Sequence, residues 1–410
     1  MFSFHRFFPG PAARCIRVAL IALLLHGGSS VLADEESPFR FQGFGTLGAA
    51  KTTTSDVEFV RDLSQARGAD DHWTPNIDSV LGIQATWRVN ARLEAVVQGM
   101  ARYGYRGDFS PEIAWAFVKY DPVPNLSLRA GRLGTEFFMM ADSRWVGYSF
   151  LTVRPPGDYF WYLPFYTIYG GDAAITIPLG EGVVRTKAFY GLSNGRIPLA
   201  EEQWDINGSP MIGAYVEYQL GAWQIRGSYA NIRFKNDLPV ARVLKQSLNY
   251  DLTAAQSDFL AARNTRSHYY SLGVVFDQGP WQAQLMLNHI KQGSNVFESS
   301  DGGYALIGYR IGKVTPYLGY SWIYSREKTR LVTGNPFEDF ITNYVMEDAH
   351  AEQQTTFAGV RWDVVRNVAL KAQWDSIRGV SKSYFPYRQD KRSTWDGSTN
   401  VFSLTMDFVF

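Results

Sequence analysis

The sequence predicts an all-β fold: a 16-stranded antiparallel transmembrane β-barrel with short turns at one end and long loops at the other. Three observations predict it. Apolar and polar residues alternate with period two in sixteen segments. The connections between those segments alternate between short and long. The chain of 410 residues also holds 27 Phe, 23 Tyr and 12 Trp, far more aromatic residues than a soluble core of this size needs.

The first 33 residues form a separate element. Arg6, Arg14 and Arg17 make a basic start, Val18–Leu25 a short apolar core, and Val31-Leu-Ala33 a small-residue cleavage pattern before Asp34. This is the layout of a secretory signal, with an apolar core too short for a membrane anchor. The expected mature chain is 34–410. It has no cysteine, because Cys15 lies in the leader, so a disulfide scaffold is excluded. Removing three Arg leaves 37 basic against 39 acidic residues, a formal charge of −2, which gives no support for nucleic-acid binding.

Composition narrows the rest. Mean hydropathy is −0.19. After residue 33 no apolar run approaches the roughly 20 residues that a spanning helix needs. Apolar and aromatic content is too high for a disordered chain.

The strands show as faces. From Ile77 to Arg88, Ile77, Leu81, Ile83, Ala85 and Trp87 fall on one side, while Asp78, Gln84, Thr86 and Arg88 fall on the other. Leu93, Ala95, Val97 and Ala101 oppose Arg92, Glu94, Gln98 and Arg102. Ile212, Ala214, Val216, Tyr218 and Leu220 oppose Glu217, and Val368, Leu370, Ala372 and Trp374 oppose Lys371, Gln373 and Asp375. Period-two alternation marks a strand with two different surroundings. The sixteen segments begin near residues 39, 77, 91, 112, 125, 171, 182, 210, 222, 267, 280, 303, 314, 353, 367 and 399. Most match the roughly 9–11 residues of a tilted spanning strand. In the fourth, Trp115/Phe117 and Ala114/Ala116/Val118 both read as apolar, so its register stays open.

The connections sort into two classes. Short ones such as Val89-Asn90, Gly221, Gln278-Gly279 and Gly312-Lys313 carry turn residues. Eight long ones interleave with them: 51–76, 104–111, 133–170, 193–209, 235–266, 292–302, 327–352 and 379–398. Trp87, Tyr103, Tyr120, Tyr218, Trp223, Trp281, Trp322, Tyr324, Trp362 and Trp374 fall near segment ends. Amphipathic rings at those heights form girdles at a membrane–water boundary.

The last eleven residues alternate, with Phe402, Leu404, Met406, Phe408 and Phe410 on one side, and the chain stops on that aromatic. The stretch Arg129-Ala-Gly-Arg-Leu-Gly-Thr-Glu-Phe-Phe-Met-Met-Ala-Asp-Ser-Arg-Trp-Val-Gly-Tyr148, followed by Val153-Arg-Pro-Pro156, accompanies the signal, the sixteen strands and the terminal Phe. In these features the sequence resembles Gram-negative outer-membrane porins. The resemblance implies an outer-membrane channel for small polar solutes and ions, with the lipid bilayer as its surroundings and a homotrimer as its assembly.

It also implies that the loop after strand five folds into the lumen as an eyelet. That connection is 133–170, the longest of the set, and it holds Glu136, Asp142, Arg144, Arg154 and Asp158. Opposed by Arg92, Arg102, Arg129, Arg185 and Lys187 of the wall, these acids would set a transverse field at the constriction. Read from the residues alone, the same segment could be a solvated external loop. Twelve of its 38 residues are aromatic, including Trp145, Tyr159, Phe160, Trp161, Tyr162 and Tyr166, which either pack it against the wall or offer a slide to sugars and aromatic solutes.

Charge placement gives the mechanism. A lysine or arginine at the bilayer midplane costs roughly 2–4 kcal/mol, so the charged faces must look inward onto water. A general diffusion channel is expected, with a substrate-selective channel for sugars or aromatic acids as the alternative. An outer-membrane hydrolase is the third reading. No metal, cofactor or catalytic set is expected: His72, His268, His289 and His350 lack ligand spacing, and no Ser–His grouping stands out. Gly43-Phe-Gly45-Thr-Leu-Gly48 opens a strand rather than a helix, so it is not a nucleotide site.

Overall fold

The computed structural model describes residues 37–410 except 162, 164–165, 200–201, 327–329, 348, 385–386 and 390–393. The leader 1–33 lies outside the described residues.

Sixteen antiparallel strands close into one barrel. They are β1 (Phe39–Thr52), β2 (Val80–Asn90), β3 (Leu93–Arg102), β4 (Pro111–Val123), β5 (Leu126–Gly134), β6 (Thr167–Leu179), β7 (Gly182–Ser193) and β8 (Pro210–Leu220), then β9 (Trp223–Arg233), β10 (Arg266–Gln278), β11 (Trp281–Gln292), β12 (Ser299–Tyr309), β13 (Val314–Arg326), β14 (Glu352–Val365), β15 (Val368–Gly379) and β16 (Ser398–Val409). Every strand starts within four residues of its expected position. Seven short turns alternate with eight long connections. Gly180, Gly221, Gly279, Gly312 and Asn367 take left-handed backbone in five of those turns, a conformation that favours Gly and Asn. Closure joins β1 to β16 from Phe44↔Val409 to Thr52↔Val401. At this seam the rings of Phe408 and Phe410 lie where a side chain at Gly45 and Gly43 would stand.

The outer wall is apolar as expected. In β8, Ile212 and Val216 are exposed, while Met211, Tyr215 and Glu217 point inward and are buried. Trp87, Tyr120, Trp223, Trp281, Tyr324 and Trp362 are exposed in the girdles. Tyr103 is not among them: it lies beyond the end of β3 and is buried. Trp374 is exposed at the middle of β15. Ile77 also departs from expectation. It precedes β2 and is buried with Ala50, Val57, Phe59 and Trp161 instead of joining the outer face.

The open register of β4 has a physical cause. Gln98 pairs with Trp115 and Gly99 with Ile113, so Ala114 is an extra residue. Such a bulge exchanges the faces on its two sides. Trp115 and Phe117 follow Gln98 and turn inward, whereas Ile113 and Val118 are exposed outside.

The inner face corrects a simple charged-inside rule. Near the short turns it is polar and solvent-accessible, with Gln42, Arg88, Arg185, Gln219 and Asp277 exposed. From mid-height toward the long connections, β8–β14 instead present Met211, Ile232, Tyr269, Met286, Tyr304 and Phe357 to a buried apolar cluster. The other half of that cluster comes from the connection between β5 and β6.

Candidate functional site

β5 runs to Gly134 and β6 starts at Thr167, so the long loop is 135–166 rather than 133–170. It folds into the barrel and is held at four places.

The first hold is ionic. Arg129 of β5 donates to Glu136 at 2.6 Å and to Asp172 of β6 at 2.5 Å. Lys187 of β7 donates to the second oxygen of Glu136. Burial alone would raise the Glu136 carboxyl, but the charges of Lys187 and Arg129 outweigh it and hold it at about 2. A carboxyl held below its ordinary 4.5 contributes stability that is full above that pH and is lost as pH falls through about 2. The unfolding midpoint of Glu136→Gln should therefore trail the native one fully above pH 4.5 and converge with it near pH 2. A gap that ignores pH would refute this hold.

The second hold is apolar. Phe138 and Tyr159 of the loop stack at 4.9 Å between ring centroids, and Phe137 meets Tyr269 of β10 at 5.4 Å. Tyr159 meets Tyr304 of β12 at 5.6 Å. The loop aromatics thus pack it to the wall, and Trp161, Phe160 and Phe150 are buried as well. Tyr162 lies outside the described residues.

The third hold is at the loop's turn. Lys371 of β15 donates to the carbonyls of Gly147 at 2.8 Å and Thr152 at 3.0 Å, and lies 2.9 Å from Asp407 of β16. Thr46 of β1 donates to Asp407 at 2.6 Å. A Cβ at Gly147 would stand 2.2 Å from Asp407 Oδ1. Gly147→Val should therefore push the loop off the wall at about 1–3 kcal/mol. The check is denaturant unfolding followed by tryptophan fluorescence; an unchanged midpoint would show that the loop does not dock there.

The fourth hold is Arg154. It clasps Asp78 with two bonds of 2.9 and 2.6 Å and reaches Asp375 of β15 at 3.4 Å. Asp78 ends the 53–79 connection, which also enters the barrel mouth. From that connection Arg61 bonds Asp78 at 3.1 Å and the carbonyl of Arg144 at 2.5 Å. Arg61 and Arg102 both lie over the Trp145 ring, at 4.7 and 4.4 Å.

The expected lining residues thus fall into three groups. Glu136, Arg144, Arg154, Asp158, Arg102 and Lys187 are brought inside but buried, where they hold the loop instead of facing a passage. Asp158 is enclosed by Ser321 at 2.5 Å and Gln353 at 2.7 Å, and burial raises its carboxyl. Arg129 is partly accessible, and Asp142 and Arg185 are exposed inside. Arg92 is not on the wall: it sits in the two-residue turn between β2 and β3, its N–H bonded to Asn90. Sequence reasoning missed Asp78, Asp172 and Asp407. Asp407 does carry a signal, as the lone carboxylate of β16 at an inward position beside Ser403 and Thr405.

Beneath the loop a cavity of about 470 Å³ is lined by Gln42, Gln84, Gln98, Trp115, Asp142 and Ser143 among others. Gln98 donates to Gln84 at 3.2 Å. Asp142 is the loop acid that faces this space.

His289 pairs with Asp301 at 2.6 Å on the outer wall. Ser325 and Glu298 approach His350 at the same nitrogen, Nδ1, at 3.3 and 2.8 Å. The other ring nitrogen of His350, Nε2, lies 3.6 Å from the carboxylate of Glu352.

No family model matches the chain, and no curated protein does. Solved structures do match. OmpF of Salmonella typhi, in complex with daunomycin, superposes with a TM-score of 0.54 at 13% identity, over 91% of this chain and 97% of its own. OmpT of Vibrio cholerae gives 0.53 at 12%, over 93% and 100%, and is also solved in a trimer form. The anion-selective porin from Comamonas acidovorans gives 0.53 at 12%, over 91% and 99%. With sixteen strands closed in one ring, short turns at one end and a loop folded inside after β5, the chain has the fold of the outer-membrane porins.

Proposed function

We propose that the mature chain is an outer-membrane porin, a water-filled channel through which small hydrophilic solutes and ions diffuse passively. One observation carries this reading. The barrel is apolar outside, and its interior between the short turns and the loop is lined by accessible Gln42, Arg88, Arg185, Gln219 and Asp277. Charged side chains on the inner wall and apolar ones outside are what a bilayer demands of a spanning barrel. In this reading the leader is cleaved after Ala33. The trimer form of the Vibrio protein supports a trimer here. Purified protein added to a planar bilayer should give stepwise, ohmic currents; a bilayer that stays sealed would sink the proposal.

The cavity under the loop favours a second, finer reading: selectivity for sugars. Glutamine amides offer both donors and acceptors, and the Trp115 ring offers an apolar plane, a combination suited to hydroxyl-rich rings. Saturable block of the current by one sugar, weakened in Trp115→Ala, separates this reading from plain diffusion.

A further inference from the structure

The outer wall carries a group of charges that the channel does not use. Arg233 ends β9, Arg266 begins β10 and Lys291 is the last residue but one of β11, all at the long-connection rim and all exposed. Their register places them on the outside. Arg233 lies directly opposite Arg266, and Lys291 lies opposite His268, one step along the same face. Directly opposed side chains have Cβ atoms only about 5 Å apart, and like charges so placed destabilise a sheet.

Nothing among the described residues relieves them. Among the described residues, none of the three has an ion pair. The contrast with other cations of the same wall is sharp. Arg326 pairs with Asp301 at 2.7 Å, Arg132 bonds the Tyr169 hydroxyl at 2.9 Å, Arg378 bonds a carbonyl at 2.7 Å, and Lys51 lies over the Trp73 ring at 5.6 Å. Of the three acids in the connection above the patch, Asp237 and Asp251 are engaged elsewhere and Asp258 makes no ion pair with these cations. Asp237 accepts from the backbone N–H of Ala262 and Arg263, and Asp251 pairs with Lys245.

The surface below the cations is graded. Tyr229 bonds His268 at 2.9 Å, and its ring meets Tyr270 at 5.1 Å; Tyr270 meets His289 at 6.0 Å. Below this aromatic row the wall turns aliphatic, with Leu272, Leu285 and Ile307 exposed. Cations, then amphipathic rings, then aliphatic side chains follow the profile of a lipid leaflet from headgroup to chain.

We infer that the rim of β9–β11 is a docking surface for anionic lipids, whose headgroup phosphate is not balanced by a cation of its own, supplied by the leaflet around that end of the barrel. The inference rests on the membrane-spanning reading above. Phosphate oxygens accept from several guanidinium and ammonium donors at once and cancel the opposed charges of Arg233 and Arg266.

The test uses the full mature chain in detergent, titrated with phosphatidic acid or phosphatidylcholine, with bound lipids counted by native mass spectrometry. The native chain should prefer phosphatidic acid. Arg233→Gln/Arg266→Gln/Lys291→Gln should bind it about a hundred-fold less tightly, as expected for about 1 kcal/mol per cation at 1.4 kcal/mol per decade. Phosphatidylcholine binding should not change. If the triple variant fails to fold, as read from heat-modified gel mobility, Lys291→Gln alone should still lose about five-fold. Equal binding of both lipids, or equal binding by native and variant, would overturn the inference. So would full displacement of phosphatidic acid by millimolar inorganic phosphate, which would mark a free-anion site. A variant that changes oligomeric state while keeping its lipid preference would mark a contact between copies and also overturn it. Conductance separates the two claims: the triple variant should conduct as the native chain does. A chain that inserts without conducting sinks the channel reading alone.

Discussion

Replacing Arg154 with alanine is expected to cost the fold about 3–5 kcal/mol, the usual range when one partner of a buried ion pair is removed. The reason lies in what it leaves behind. Asp78 is fully enclosed and Asp375 nearly so, with side-chain exposures of 0% and 9%, and Arg154 faces both. Arg61 still touches Asp78 at 3.1 Å, so one carboxylate keeps a cationic partner while Asp375 keeps only the Gln373 amide at 2.7 Å. The loss is also mechanical, because Arg154 joins the 135–166 loop to β15, to Ser403 of β16 and to the end of the 53–79 connection. Denaturant unfolding should show the lower stability, and single-channel records should show larger, noisier currents as the two inserted segments separate. Arg154→Lys should recover only part of it, since an ammonium cannot form the paired bonds that a guanidinium makes with Asp78. A variant with native stability and native current would show that the clasp does not hold the loop.

That clasp also shows where the sequence stops being legible. The strands were readable because a bilayer outside and water inside impose two different chemistries on alternate residues. Ile212, Val216 and Glu217 show the contrast within a few positions. The reading fails where a strand's inner face meets folded protein instead of water. Met286, Tyr304 and Phe357 are as apolar as the outer wall, and only the loop packed against them explains why. Ala114 hides its bulge for a similar reason, since both faces of β4 are then apolar.

The inserted loops are harder still. The 53–79 connection looks like a long polar excursion, yet Val57, Phe59, Val60 and Leu63 are buried and Arg61 and Asp78 are enclosed. Irregular backbone has no period, so burial leaves no pattern to read. For the same reason the charges of the 135–166 loop were recognisable as residues that belong inside but not as pairs. A partner such as Asp375 lies 221 positions away from Arg154. The physical lesson concerns charge: a carboxylate in this lumen can either set a field for solutes or secure the loop, and burial decides which. Glu136 and Asp158 are enclosed, while Asp142 is open to the vestibule.

The same reasoning makes Lys371→Met the sharpest test of how the loop is held. Methionine keeps most of the chain's volume but removes the ammonium, and neither Lys371 nor Asp407 has any side-chain exposure. Asp407 would then keep only the hydroxyls of Thr46 at 2.6 Å and Thr405 at 3.4 Å. The carbonyl of Thr152 would lose its donor at the same time, while that of Gly147 would keep only the Phe150 N–H at 3.0 Å. A buried carboxylate without its cation costs about 3–5 kcal/mol, and the unsatisfied Thr152 carbonyl adds about 1–3 kcal/mol unless the loop moves to find water. Moving is the cheaper outcome, so the variant should unfold at lower denaturant and conduct more, with the loop released from β15 and β16. Adding Asp407→Asn removes the stranded charge but not the missing donor. The double variant should therefore regain most of the stability while keeping the raised conductance. Stability and conductance that recover together would mean that the charge, rather than the two carbonyl bonds, is what keeps the loop in place.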